Sequence, residues 1–115
     1  MTDDELLSSC LELPGAWPDE PWSDHTVAKV GTRPGKIFAF PGADPPSVAV
    51  KLPPPDGVEL RAAYPGAVGD APYLSTKHWV RVLLDGSVPD DEVLELVRAS
   101  YDLVVAGLPK AQRPT

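Results

Sequence analysis

The stretch HWVRVLLDGSVPDDEVLELVRASYDLVVAGL, residues 78–108, places a strand, a turn and a helix in immediate succession, and its reading decides the fold class. Residues 78–84 are rich in Val, Leu and Trp and contain no breaker, so they predict a strand. Side chains alternate along a strand, which sets His78, Val80 and Val82 against Trp79, Arg81 and Leu83. Asp85-Gly86 marks a turn. Pro89 then fixes a helical φ, and Asp90, Asp91 and Glu92 fall on the positive end of the helix dipole. Val93, Leu96, Val97, Tyr101, Val104 and Leu108 mark one apolar face, and Gly107-Leu108-Pro109 predicts a left-handed cap followed by a stop. A helix with one apolar face beside an alternating strand has a sheet to cover.

Working towards the N-terminus extends this pattern. Thr2-x-x-Glu5 is a capping box for a helix carrying Leu6, Leu7, Cys10, Leu11 and Leu13, which Pro14-Gly15 stops. Residues 16–25, AWPDEPWSDH, read as an irregular loop pinned by two indoles. Strands are predicted over 26–30, 36–40 and 47–52, separated by GTRPG and PGADPP, as an antiparallel meander. Pro53-Pro54-Pro55 ends the ladder, and Asp56-x-x-Glu59 predicts a capped second helix through Leu60, Ala63 and Tyr64 to Pro65. A glycine-containing loop to Asp70 leads to a brief strand over 73–75. The order α-β-β-β-α-β-β-α predicts an α+β, two-layer domain, an antiparallel sheet with helices on one face. All 115 residues form one domain, with 110–115 as a flexible tail.

Charge is unevenly spread. Acids outnumber bases 17 to 10 for a net charge of −7, which argues against a protein that coats a polyanion indiscriminately. Residues 1–24, however, hold seven acids and no Lys or Arg, whereas residues 25–84 hold Lys29, Arg33, Lys36, Lys51, Arg61, Lys77 and Arg81 against four acids. The predicted sheet is therefore basic between acidic flanks. One cysteine, Cys10, forms no internal disulfide, the start has no signal-peptide pattern, and no apolar run approaches the roughly 20 residues of a membrane span. A cytoplasmic protein with no membrane association is expected.

The segments CLELPGA (10–16), Lys51-Leu52, Tyr64-Pro65, Lys77-His78-Trp79, LDGSVPDDE (84–92) and SYDLVVAGLP (100–109) resemble the MmcQ/YjbR family of small bacterial proteins, in order along nearly the whole chain. The resemblance implies a secretion-chaperone-like fold, α-β3-α-β2-α, and a DNA-binding role attached to a double-wing arrangement of strands and helices. Gly31-Thr32-Arg33-Pro34-Gly35 is longer than the family's tight turn.

For DNA, the residues suited to the task are Lys29, Lys36, Lys51, Lys77 and Arg81 as phosphate partners, and Trp79 as an indole to stack on a base or wedge a step. The plainer alternative makes the cations solvated edge charges and Trp79 a packing residue. A second functional class is a protein- or peptide-interaction module presenting Trp17, Trp22 and Trp79. Catalysis is not expected. Cys10 lies on an apolar stripe, His25 and His78 lack an orienting partner in the pattern, and Gly66-Ala67-Val68-Gly69 is no phosphate loop. Neither a metal nor another cofactor is expected, and a monomer or homodimer fits.

Overall fold

A computed structural model describes residues 1–22, 25–71 and 78–114, without the side chain of Trp22. The elements are α1 (Asp3–Leu11), β1 (Trp17–Trp22), β2 (His25–Val30), β3 (Lys36–Ala43), β4 (Pro46–Lys51), α2 (Pro54–Ala63), β5 (Val68–Asp70), β6 (Trp79–Leu83) and α3 (Asp90–Ala106). All strands join one antiparallel sheet in the order β1-β2-β3-β4-β6-β5. The α+β expectation holds, with the helices packed on the face formed by Ala28, Val30, Ala39, Val48, Val50, Val80 and Val82. Leu6 and Cys10 of α1 and Val93, Val97, Tyr101 and Val104 of α3 complete that core. The Thr2–Glu5 capping box is present in both directions.

Four local expectations are corrected. The segment read as a loop around the first two tryptophans is β1, an edge strand paired with β2. An edge strand tolerates prolines because one side of its backbone needs no partner, and an extra residue between Asp19 and Trp22 lets the chain pass Pro21, which has no N–H to give. Residues 68–70, read as loop, form β5; Gly69 weakened their strand signal, yet pairing with β6 along an edge suffices. The strand expected over 73–75 lies outside the described residues.

The second helix starts at Pro54 with Pro53 as its cap residue and no side-chain cap, rather than at Asp56. Proline serves well there, since its missing N–H would have had no partner in the helix. Gly107 ends α3 at φ −86°, in the right-handed region, not the left-handed one. Arg113 supplies what that cap would have, donating from Nε to the Leu108 carbonyl and from Nη2 to the Ala106 carbonyl, both at 2.9 Å. Residues 110–112 form a short 3₁₀ turn that brings Arg113 back.

Two neighbouring side chains of α3 organise the sheet beneath it. The β3–β4 ladder runs from Ala43↔Pro46 to Ala39↔Val50 and stops where Phe38 would face Lys51. Ser100 stands in that place: the Lys51 backbone N–H donates to its Oγ at 2.8 Å, and its hydroxyl donates to the Phe38 carbonyl at 2.6 Å. Phe38 is also the extra residue of a bulge against β2, where Ala39 faces Ala28 and Ile37 faces Lys29. The bulge turns the Phe38 ring to the helices, edge-on to Tyr101 with ring centroids 5.3 Å apart. The Tyr101 hydroxyl in turn donates to the Pro14 carbonyl just beyond α1.

Ser100→Ala strands the Phe38 carbonyl and the Lys51 N–H in a buried place, and should cost about 1–3 kcal/mol. Urea unfolding monitored by circular dichroism checks this; a midpoint equal to that of the wild type would refute the bridging role.

Candidate functional site

Because Ser100 interrupts the ladder, β3 and β4 part at the end of the sheet where β3 begins, β4 ends and β6 begins. A groove of about 420 Å³ opens there, lined by Lys29, Gly35, Lys36, Ile37, Lys51 and Trp79 from the sheet and by Leu103, Val104 and Gly107 from the end of α3. Trp79 lies directly opposite Lys51 in the β4–β6 ladder, so indole and ammonium stem share a face. Trp79 is half-buried, and its N–H has no partner among the described residues.

Four of the six residues singled out from the sequence, Lys29, Lys36, Lys51 and Trp79, thus line one groove. Arg81 does not. It is on the same face of β6 as Trp79 but lines a separate pocket over Ala49 and Phe40. Lys77 lies outside the described residues.

The lysines of the groove differ in what they have left to offer. The Lys29 ammonium is 2.7 Å from the Asp19 carboxylate, donates to the Pro34 carbonyl at 2.9 Å, and sits 5.6 Å from the centroid of the Trp17 ring. Its side chain is only 11% exposed. The hydrogen bond from Lys29 holds the Asp19 carboxyl below its ordinary value, so the Asp19 carboxylate is ionised at neutral pH and offsets the Lys29 charge. Lys36 and Lys51 enter no ion pair among the described residues, and Lys36 is exposed.

Trp17, which the sequence offers as an exposed anchor, is engaged internally. Its indole N–H donates to the Gly31 carbonyl at 2.9 Å, and the Arg33 guanidinium lies 4.2 Å from the ring centroid. The length of the 31–35 turn has a use in this: it carries the carbonyl and the cation that grip the indole. Gly35 is required, since a Cβ at its φ of +67° would stand 2.7 Å from the Trp17 ring.

Cys10 is buried, and burial pushes its thiol up to about 12. A thiolate nucleophile is therefore not on offer at neutral pH. Among the described residues, no three of His, Cys, Asp and Glu gather as metal ligands, and no helix is long and apolar enough to cross a membrane.

The family model YjbR matches residues 11–103. The chain belongs to the YjbR family. It is 33% identical to the YjbR protein of Escherichia coli (strain K12), over 98% of this chain and 95% of that one. Among solved structures, the crystal structure of a Deinococcus radiodurans protein with the domain DUF419 superposes with a TM-score of 0.88 at 40% identity, covering 96% of this chain and 84% of that one. A Pseudomonas syringae protein shares the fold at 21% identity, with a TM-score of 0.75 over 90% of this chain and 99% of that one. The family match contains both Ser100 and Tyr101, so the motif SYDL coincides with the residues that tie α3 to β3, β4 and the end of α1.

Asp19 has its value depressed on folding, so the ion pair contributes fully above the ordinary carboxyl value of about 3.9 and its contribution fades as pH falls through the lower native value. The stability difference between wild type and Asp19→Asn should therefore be constant above about pH 5 and vanish in strong acid; a difference independent of pH would refute it. Cys10 alkylation by iodoacetamide should proceed in proportion to the unfolded fraction, and a native-state rate like that of a free thiol would contradict its burial.

Proposed function

We propose that the protein is a non-enzymatic, weak DNA-binding protein that holds the phosphate backbone in the groove between β3, β4, β6 and the end of α3. The observation that carries this reading is the meeting of Lys36 and Lys51, both without ion pairs among the described residues, beside a half-buried indole in one groove. Two free ammonium groups give an electrostatic hold on a phosphodiester chain, and Trp79 gives an unpaired base a flat surface. Lys29 is a structural wall in this reading because Asp19 already holds its charge.

Two features temper affinity. The chain's net charge of −7 repels a polyanion at long range, and the end of α3 presents the negative pole of its dipole to the groove. Arg113 offsets the second by binding the Ala106 and Leu108 carbonyls. The balance favours weak, salt-sensitive binding in the cytoplasm. A peptide-binding role has less support: the Trp17 N–H is spent on Gly31, and the exposed large apolar side chains among the described residues, Val58 and Leu94, lie on different helices.

The test is fluorescence anisotropy with labelled single-stranded and duplex oligonucleotides. Two phosphate contacts imply about a 7- to 12-fold loss of affinity between about 50 and 200 mM salt. Lys36→Glu with Lys51→Glu should abolish binding, Lys29→Met should change it by less than about threefold, and Trp79→Leu should weaken single-strand binding by about fivefold or more. Absence of binding at low salt, or binding indifferent to salt or to the double charge reversal, would overturn the proposal.

A further inference from the structure

Arg81, left out of the groove, has surroundings of its own. Across the face of the sheet turned away from the helices the ladders align Phe40, Ala49, Arg81 and Gly69 in one row, with Gly42 and Ser47 paired in the next. Between them lies a pocket of about 270 Å³ that shares no residue with the groove. Ala49 is its floor, and the His25 and Phe40 rings, tilted at 49° with centroids 5.5 Å apart, make an apolar wall.

Two polar groups in this pocket have no partner among the described residues. The Arg81 guanidinium makes no ion pair or hydrogen bond among the described residues, although its side chain is half-buried. Ser47 is 6% exposed, and its hydroxyl has no hydrogen-bond partner among the described residues and is open to the pocket. Its Oγ is reached from the pocket, so a ligand there meets a hydroxyl free to donate and to accept. Gly42 preserves this arrangement, because a Cβ there would stand 2.9 Å from Ser47 Oγ.

We propose that this pocket binds a small monocarboxylate with a flat apolar body, its carboxylate held by Arg81 and Ser47 and its body laid over Ala49 against Phe40 and His25. A guanidinium is matched to a carboxylate by its two parallel N–H donors. Among the described residues the one Lys or Arg lining the pocket is Arg81, and Asp44 at the exposed turn opposes further negative charge, which selects one carboxylate over a doubly charged phosphate. The volume lies just under the range of about 300–1,000 Å³ usual for drug-sized ligands, so the occupant is smaller.

Phenylacetate is a suitable probe, with phenethylamine as its cationic counterpart, in a titration of the ¹⁵N-labelled full chain followed by amide chemical shifts. Phenylacetate should give saturable shifts at Gly42, Ser47 and Ala49, and phenethylamine none. Arg81→Met should weaken binding by about tenfold or more, Arg81→Lys by less, and Ala49→Leu should abolish it by filling the floor. Each variant's spectrum reports its own folding, and Ser47→Ala, expected to lose several-fold, stands in for any variant that does not fold. No saturable shift with phenylacetate, equal binding of the amine, or undiminished binding by a folded Arg81→Met or Ala49→Leu would overturn the proposal.

Discussion

A single hydroxyl group, that of Ser100, stands where two strands would otherwise continue their ladder. By accepting the Lys51 N–H and donating to the Phe38 carbonyl, it replaces one backbone pair with a bridge from the helix. Backbone polar groups in a core must be satisfied, so the strands can part there only because the helix supplies both an acceptor and a donor. That parting, the bulge at Phe38, the edge-on contact of Phe38 with Tyr101 and the groove beyond them form one connected arrangement.

The same arrangement sorts the charges. Net charge speaks about long-range repulsion and solubility, whereas a contact is decided by which ammonium groups remain unspent within a few ångströms. Asp19 and the Pro34 carbonyl consume Lys29, while Lys36 and Lys51 meet no carboxylate among the described residues. Lys29 and Lys51 read alike in the sequence, each a lone cation in a strand of valines and alanines. Their difference arises because β1, which carries Asp19, lies beside β2 and not beside β4.

Features that rest on neighbours in the chain were readable from it. The capping box of α1, the acidic start of α3 and the alternation of Val80 and Val82 against Trp79 and Arg81 came through, because each depends on residues no more than a few positions apart. The edge strands β1 and β5 did not. Their prolines and glycine carry weak or contrary local preferences, and only a partner strand makes those backbones extended and paired. Gly107 misled for a similar reason: its expected left-handed turn was displaced by Arg113, six residues further on, which satisfies the carbonyls by another route.

The sequence by itself therefore determined the α+β class, the antiparallel sheet, the covering helices and the basic character of the strand region, since periodicity, capping and charge are properties of short stretches. Only the tertiary structure decided which of its cations share a groove, which one is already neutralised, and that Arg81 faces a pocket of its own. Those outcomes depend on contacts such as Ser100 with Phe38, 62 positions apart, and on strand order, neither of which leaves a local mark in the chain.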